Sequence, residues 1–194
     1  MAPPSKQRNS PSLSDVHVAL LRGVNVGGKN KLPMRDLAAM FNDAGCTNVR
    51  TYIQSGNVVF CAAPATAKRV AAIVSQQINA RFGFRIPVVI RTAGDLEKVA
   101  AGNPFHKPDP DANALHVGFL AETPDKRQIA ALDPNRSPGD VFKVQGREIY
   151  LCLPNGVAKS KLTNSYLDAT LSTTSTIRNW RTVMKLLEMT RVPQ

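Results

Sequence analysis

The sequence predicts an α+β fold made of two ferredoxin-like (βαββαβ-type) subdomains, each with an antiparallel sheet and helices on one face. Two observations carry this prediction. Apolar periodicity over residues 16–91 gives the order β-α-β-β-α-β, which is the split arrangement of a ferredoxin-like sandwich. The opening strand and the hairpin then recur in the second half, which indicates an internal duplication.

Each element of the first half has a local signal. A buried-strand pattern precedes a loop rich in Gly and Asn, and Pro33 stands where the first turn of a helix tolerates a missing N–H. Gly45 and Gly83 follow helical stretches as left-handed caps, and Ser55-Gly56 separates two strands as a hairpin turn. The predicted strands are Val16–Leu21, Val49–Gln54, Asn57–Cys61 and Ile86–Arg91, and the predicted helices begin after Pro33 and span Ala65–Phe82.

The second half repeats part of this pattern. Its opening strand, Leu115–Leu120, resembles the first strand and has its histidine in the same place. Tyr52 and Phe60 bracket Gly56, and Phe142 and Tyr150 bracket Gly146 with the same spacing. We predict three further helices and no fourth strand, so the second copy is interpreted as incomplete or altered at its end; these helices are Pro124–Leu132, Ser160–Leu167 and Thr176–Met189.

The chain is therefore divided into four parts. Residues 1–15 are polar and Pro-containing and are predicted to be a disordered leader. The first subdomain spans 16–93, a connecting helix and linker span 94–113, and the second, modified subdomain spans 114–194.

Charge limits the classes of partner. The 194 residues contain 25 Lys and Arg against 14 Asp and Glu, a formal charge of +11, which favours nucleic acid or phosphorylated partners. The alternative is that a basic surface only aids solubility. Cys46, Cys61 and Cys152 form no CxxC pair, which indicates a reducing compartment and a cytoplasmic location. No apolar run is long enough for a membrane span, and the first fifteen residues lack the apolar stretch of a secretory signal.

The loop after the first strand is the first candidate anion site. The segment from Arg22 to Arg35 has four cations and no acid, and its glycines permit close backbone approach. Its pattern GxxxxGKN lacks the Ser or Thr that binds Mg²⁺ in a nucleotide-binding P-loop, and the helix start lies too late. The alternative is that the glycines only turn the chain. The candidate residues are Arg22, Gly23, Asn25, Gly27, Gly28, Lys29, Asn30, Lys31 and Arg35.

The C-terminal segment is the second candidate. As a helix, it places Arg178, Arg181 and Lys185 on one face. An adjacent apolar stripe is predicted to pack into the core; it consists of Ile177, Trp180, Met184 and Leu187. For Trp180 we favour an anchor in the core or an interface over the alternative of a base-stacking platform. Lys159 and Lys161, beside the predicted helix cap Ser160, are expected to extend this cationic surface.

Metal and catalytic sites have little support in the sequence. His17 and His116 lie inside predicted strands, His106 lies in the linker, and no second ligand is spaced to complete a metal site. No nucleophile elbow, HExxH motif or close carboxylate pair is present. We therefore predict no metal and no cofactor and assign no catalytic residue.

Long motifs in a fixed order identify a family resemblance. Four stretches resemble the bacterial family known as domain of unknown function 1697. They are LRGVNVGGKNKLPM, TYIQSGNVVF, PVVIRT followed by NPF, and SKL followed by TIRNWRTVMKLLEM. The resemblance runs from about Val16 to Met189. It implies a cytosolic bacterial protein with two ferredoxin-like subdomains. It supplies no reaction and no catalytic residues, and the leader lies outside its pattern.

Three functions remain open on the sequence. The first is a binding protein for nucleic acid or another polyanion that uses the two cationic segments. The second is an enzyme acting on a phosphorylated or acidic small molecule, with the Gly23–Lys31 loop as a cradle and Asn25 or Asn30 orienting the ligand. The third is an interaction module whose two halves present a groove to a partner. The oligomeric state has no signal in the sequence.

Overall fold

A computed structural model of the chain describes residues 16–106 and 113–191. The predicted leader and part of the predicted linker lie outside the described residues. The first half contains, in chain order, β1 (Val16–Leu21), α1 (Met34–Asp43), β2 (Thr47–Tyr52), β3 (Asn57–Cys61), α2 (Pro64–Phe82), β4 (Val88–Thr92) and α3 (Ala93–Gly102).

The second half has the same element order. It contains β5 (Leu115–Leu120), α4 (Lys126–Ala130), β6 (Val141–Gln145), β7 (Glu148–Cys152), α5 (Asn164–Leu171), β8 (Ser175–Asn179) and α6 (Trp180–Arg191). Each half is therefore a βαββαβ unit followed by one additional helix.

The two sheets have the ferredoxin-like strand order. The first sheet runs β2-β3-β1-β4 and the second runs β6-β7-β5-β8, and every neighbouring pair is antiparallel. Outer-face residues of the first sheet pack under α1 and α2, and those of the second sheet pack under α5. The predicted α+β fold of two ferredoxin-like subdomains is confirmed.

The prediction for the end of the chain was wrong. Residues 175–179 form β8, so the second copy is complete, and α6 begins only at Trp180. The β-branched residues Thr176 and Ile177 favour extended backbone, and β8 completes the antiparallel sheet by pairing with β5. Arg178 consequently lies on a strand and shares no helical face with Arg181 and Lys185.

The inner faces of both sheets are covered as well. Alternate residues of β1, Val16, Val18 and Leu20, share one core cluster with Leu115 and Val117 of β5. Side chains of α3 and α6 complete this cluster. Because α6 packs on β1 and β3, the sheet face that binds RNA in many ferredoxin-like domains is inside the molecule here.

The two halves exchange arginines in a reciprocal way. Arg91 of β4 lies opposite Val18 of β1, and Arg178 of β8 lies opposite the equivalent Val117 of β5. Arg91 donates to the Leu120 and Arg147 carbonyls at one end of the second sheet. Reciprocal contacts of this kind are expected when two similar units are related by a two-fold axis.

Arg178 completes the exchange in the opposite direction. Its Nη2 donates to the carbonyls of Leu21 and Ser55 in the first half. The side-chain partners differ, because Arg91 Nε donates to the Glu148 carboxylate at 2.8 Å and Arg178 Nε donates to the neutral Asn57 amide at 2.7 Å. The site in the second half that receives Arg91 therefore offers a carboxylate, whereas the site in the first half that receives Arg178 offers a neutral amide in its place.

Candidate anion-binding surface

The loop after β1 folds into a tight turn of its own. Val26 and Lys29 form an isolated antiparallel bridge, and the Lys29 N–H donates to the Val26 carbonyl at 3.0 Å. Gly27 and Gly28, the two central residues, have φ of 57° and 75°. Positive φ at both central positions is the requirement of a type I′ hairpin turn, which explains why two consecutive glycines occur here.

Two asparagine side chains hold this turn in place. The Asn25 amide spans the base of the loop: its Nδ2 donates to the Leu32 and Gln54 carbonyls at 2.9 Å, and its Oδ1 accepts from the Leu32 N–H at 2.8 Å. Asn30 Nδ2 donates to the Gly23 carbonyl at 3.0 Å. Both asparagines have positive φ, which Asn tolerates better than most residues. The groups predicted to orient a ligand are thus engaged by the backbone of the protein.

The helix start lies away from the glycines. α1 begins at Met34 with Pro33 as its N-cap, five residues after the Gly27-Gly28 turn. A P-loop needs glycine amides and a helix N-terminus around one phosphate, and this loop separates them. The loop therefore presents side-chain charge rather than a backbone cradle.

Arg22 joins the two halves of the molecule. Its Nη1 forms an ion pair with Asp168 of α5 and donates to the Ser175 carbonyl at 3.1 Å. Asp168 is held in turn by the Ser175 N–H and hydroxyl. The Arg22 charge is neutralised by this contact.

Arg178 also lies at the contact between the two halves and is partly buried. Beyond its bonds to the first half, Nη1 donates to Thr176 Oγ1 and the Ile177 carbonyl, so all five guanidinium N–H groups have partners. Burial lowers the pKa of Arg178 to about 10. No donor of this guanidinium is left for a ligand, which removes Arg178 from the candidate surface.

Three cations of the predicted loop site remain available. Lys29, Lys31 and Arg35 are exposed, and none of them forms an ion pair with another described residue. They follow one another along the loop and the first turn of α1. These three residues form the centre of the candidate surface.

The structure adds two arginines that the sequence did not single out. Arg81, near the end of α2, pairs with Asp36 in the first turn of α1 at 3.1 Å, so the end of α2 lies beside the start of α1. Arg85 follows α2 and is exposed without an ion pair in the described chain. The Arg22 N–H donates to the Pro87 carbonyl at 3.1 Å, which ties this segment to the loop after β1.

We call the resulting region the loop-end surface. It lies at the carboxyl end of β1 and comprises the loop 22–33, the β2–β3 turn, the start of α1, the end of α2 and the segment 83–87. Its cations without an ion pair among the described residues are Lys29, Lys31, Arg35 and Arg85, and Arg81 adds a cation that is paired with Asp36. The antiparallel course of α1 and α2 brings residues together here that lie some fifty positions apart, and a scan for local motifs does not detect such a cluster.

Two further predicted cations lie on α6. Arg181 is exposed in the first turn, whereas Lys185 is paired with Glu188 at 2.6 Å. Met184, predicted to be in the core, is 40% exposed, and Trp180 and Leu187 are buried as predicted. No hydrogen bond or ion pair in the described residues links Arg181 or Lys185 to the loop-end surface. The exposed Lys159 and Lys161 lie before α5.

The positive charge is unequal between the halves. Residues 16–106 contain eleven Lys and Arg and four Asp and Glu, and residues 113–191 contain eleven and seven. The stretch from Ala44 to Gly94 has no acidic residue at all. The first half therefore carries more of the net charge, and the loop-end surface belongs to it.

The histidines have structural surroundings. His17 is buried and stacks on Phe60 with ring centroids 5.5 Å apart. His116 is buried, its Nδ1 lies 3.1 Å from the Ala114 carbonyl, and burial lowers its pKa. His106 is exposed over Trp180. Within the described residues no three His, Cys, Asp or Glu side chains are grouped to hold a metal ion.

In the described parts of the chain, no helix has both the length and the apolar character that crossing a bilayer requires.

Comparison with known proteins finds a matching family model and a solved structure with a similar fold. A family model described as "Protein of unknown function (DUF1697)" matches residues 15–150. No curated protein matches. Among solved structures, the chain is similar to the conserved bacterial protein SP0830 from Streptococcus pneumoniae, with 24% identity and a TM-score of 0.67 over 91% of this chain and 98% of that chain. At this identity the likeness shows the fold alone.

Proposed function

The chain belongs to the family of proteins of unknown function DUF1697, whose description names no reaction, and from its own residues we propose that it is a binding protein for nucleic acid or another polyanion. The observation that carries this proposal is the loop-end surface, where exposed Lys29, Lys31 and Arg35 have no carboxylate partner among the described residues. We also propose a cytoplasmic location, because three cysteines without a CxxC pair are typical of a protein from a reducing compartment.

Phosphate binding favours cations that carry no internal counter-ion. A lysine that neutralises a phosphate releases condensed counterions from the nucleic acid, and this release supplies most of non-specific affinity. A lysine already paired with a carboxylate must first give up that partner. The unpaired cations of the loop-end surface avoid this cost.

The loop is also ordered before any ligand binds. The Asn25 and Asn30 amides and the Gly27-Gly28 turn fix its backbone. Ordering a flexible loop on binding costs conformational entropy, so a preformed loop retains more of the gross interaction energy. Lys29 and Lys31 are held on either side of Asn30, whose side chain is bonded within the loop.

The small-molecule enzyme has less support from the geometry. Its predicted cradle needs free polar groups that converge on one anion, but the Asn25 and Asn30 side chains bond to the backbone and the α1 N-terminus lies apart. The exposed cations are distributed along the loop and α1, so an extended ligand with many phosphates can contact more of them than a ligand with a single phosphate can.

The test is a salt titration of binding. Fluorescence anisotropy of a labelled random oligonucleotide is followed against protein concentration at several salt concentrations. We expect log affinity to fall linearly with log salt, and Lys29→Ala with Lys31→Ala to reduce the slope by about 1.4 for a single strand or about 1.8 for a duplex, two phosphate contacts being lost.

A matched control separates a site from net charge. Lys126→Ala with Lys143→Ala removes two exposed lysines from the second half and lowers the net charge equally. If this control weakens binding as much as the Lys29 and Lys31 pair, the loop-end surface is not the site. If the unaltered protein shows no binding at low ionic strength, the polyanion proposal is refuted.

A further inference from the structure

The segment at the end of α2 alternates arginine and phenylalanine. Residues 81–85 read Arg-Phe-Gly-Phe-Arg, and they lie in the loop-end surface. The helix ends at Phe82, and Gly83 takes the left-handed conformation with φ of 78°, which turns the chain. This turn brings the rings of Phe82 and Phe84 to a centroid distance of 6.1 Å.

Both phenylalanines are partly exposed. Each packs against the core cluster of the first half, but neither is among its buried members. The Arg81 guanidinium lies 5.4 Å from the centre of the Phe82 ring, so this ring already carries a cation. Phe84 has no cation over its ring in the described structure and stands beside the exposed Arg85.

We propose that this segment is a base-stacking platform, and that the polyanion of the loop-end surface is single-stranded nucleic acid. This inference rests on the proposed function and narrows it. An unpaired base stacks on the partly exposed Phe84 ring, while Arg85 and the loop lysines contact the phosphates on either side. Stacking of this kind tolerates any sequence, because every base has a π face.

The geometry favours a single strand over a duplex. In a duplex the base faces are covered by neighbouring base pairs, so an aromatic ring gains nothing from them, and only the phosphate contacts remain. The sheet face that carries stacking aromatics in other ferredoxin-like RNA-binding domains is buried here under α6 and the second half. A platform outside the sheet is the remaining place for this chemistry.

The experiment compares Phe84→Leu with the unaltered protein. A labelled 12-nucleotide single strand and the corresponding duplex are each titrated by fluorescence anisotropy at two or more salt concentrations. We expect the single strand to bind more tightly than the duplex, and Phe84→Leu to weaken single-strand binding roughly 5- to 100-fold. The salt dependence stays that of the unaltered protein, because the phosphate contacts remain.

Two further variants control for the fold. Phe142→Leu makes the same change at a partly exposed phenylalanine of β6 in the second half and leaves binding unchanged. Phe84→Tyr keeps an aromatic face and retains binding close to that of the unaltered protein. Loss of binding in Phe84→Tyr as well as in Phe84→Leu contradicts a stacking role.

The outcomes distinguish this inference from the proposed function. Equal affinity for single strand and duplex, or a Phe84→Leu protein that binds as the unaltered one does, overturns the platform while the Lys29 and Lys31 effect still supports polyanion binding. Absence of any binding to either nucleic acid refutes both.

Discussion

Replacing Arg178 by Met tests whether this arginine holds the two halves together or binds a ligand. Arg178 belonged to the predicted anion site, but the structure places its guanidinium between β8 and the end of β1. Met has a similar length and no charge, so the change removes the hydrogen bonds and fills much of the same space.

The magnitude follows from two opposing contributions. The change leaves the Leu21 and Ser55 carbonyls and the Asn57 Oδ1 without their donor, and each buried acceptor left unsatisfied costs about 1–3 kcal/mol. Removal of the charge relieves desolvation. Burial lowers the pKa of Arg178 from its ordinary value to about 10, which corresponds to roughly 3 kcal/mol that is returned when the charge is removed. The three acceptors together cost about 3–9 kcal/mol, so we expect a net loss of unfolding free energy of about 3 kcal/mol, within a range of roughly 0–6 kcal/mol.

Urea denaturation followed by circular dichroism measures this loss. Arg181→Ala, an exposed residue three positions later, serves as the control and should change the unfolding free energy by less than about 0.5 kcal/mol. Nucleic-acid affinity of the folded Arg178→Met protein should be unchanged, because no donor of Arg178 faces a ligand. A variant of full stability that no longer binds polyanions would show that the structural assignment of Arg178 is wrong.

Three other substitutions test separate parts of the structure. Gly56→Ala places a Cβ 2.8 Å from the Leu21 side chain at a φ of 71° and should lower the unfolding free energy by roughly 2–5 kcal/mol in denaturation experiments. Gly28 also has a positive φ but no neighbouring atom within 4 Å of the added Cβ, so Gly28→Ala should cost only about 1–2 kcal/mol. Equal losses for the two variants would contradict the packing argument. Glu148→Gln leaves the buried Arg91 with a neutral partner and should cost roughly 1–3 kcal/mol, and an unchanged urea midpoint would show that the counter-charge has no weight. Burial lowers the pKa of His116 below its ordinary value, so the folded state favours the neutral ring and stability is lost as pH falls below about 6.5; His116→Asn should flatten the dependence of unfolding free energy on pH between 7 and 5.

An element could be predicted from the sequence wherever the pattern that determines it lies within a few neighbouring residues. Apolar strands, proline at a helix start and glycine after a helix each depend on a few neighbouring residues, and the first half follows them closely. β8 was missed because Ile177, Trp180, Met184 and Leu187 have helical spacing across a strand and a helix that adjoin without a loop. The pairing of β8 with β5, some sixty residues earlier, decides the structure there, and no local pattern contains it.

The residues of the candidate site likewise divide into those that a local pattern revealed and those whose role depends on distant residues. Lys29, Lys31 and Arg35 were found because they are close together in the sequence and the loop around them contains no acid. The exclusion of Arg22 and Arg178 from the site could not be predicted, since their partners Asp168 and Asn57 are more than a hundred residues away. Burial of an arginine depends on such distant acceptors, and composition does not reveal them.

The difference between the two halves is the strongest guide to where function lies. Both halves share strand order, the reciprocal arginine and the additional helix, so these features serve the architecture. Twelve residues, 22–33, join β1 to α1, but only five, 121–125, join β5 to α4. The buried Val24 and Leu32 fix the two ends of the longer loop in the core, whereas its tip, 26–31, is mostly exposed and carries Lys29 and Lys31. Because this tip buries little apolar surface, we infer that it serves a ligand. Replacing 26–31 by a shorter neutral turn, with Arg22, Val24 and Leu32 kept, should leave the protein folded and should remove nucleic-acid binding. A shortened protein that still binds with the same salt dependence would show that the long loop has another purpose.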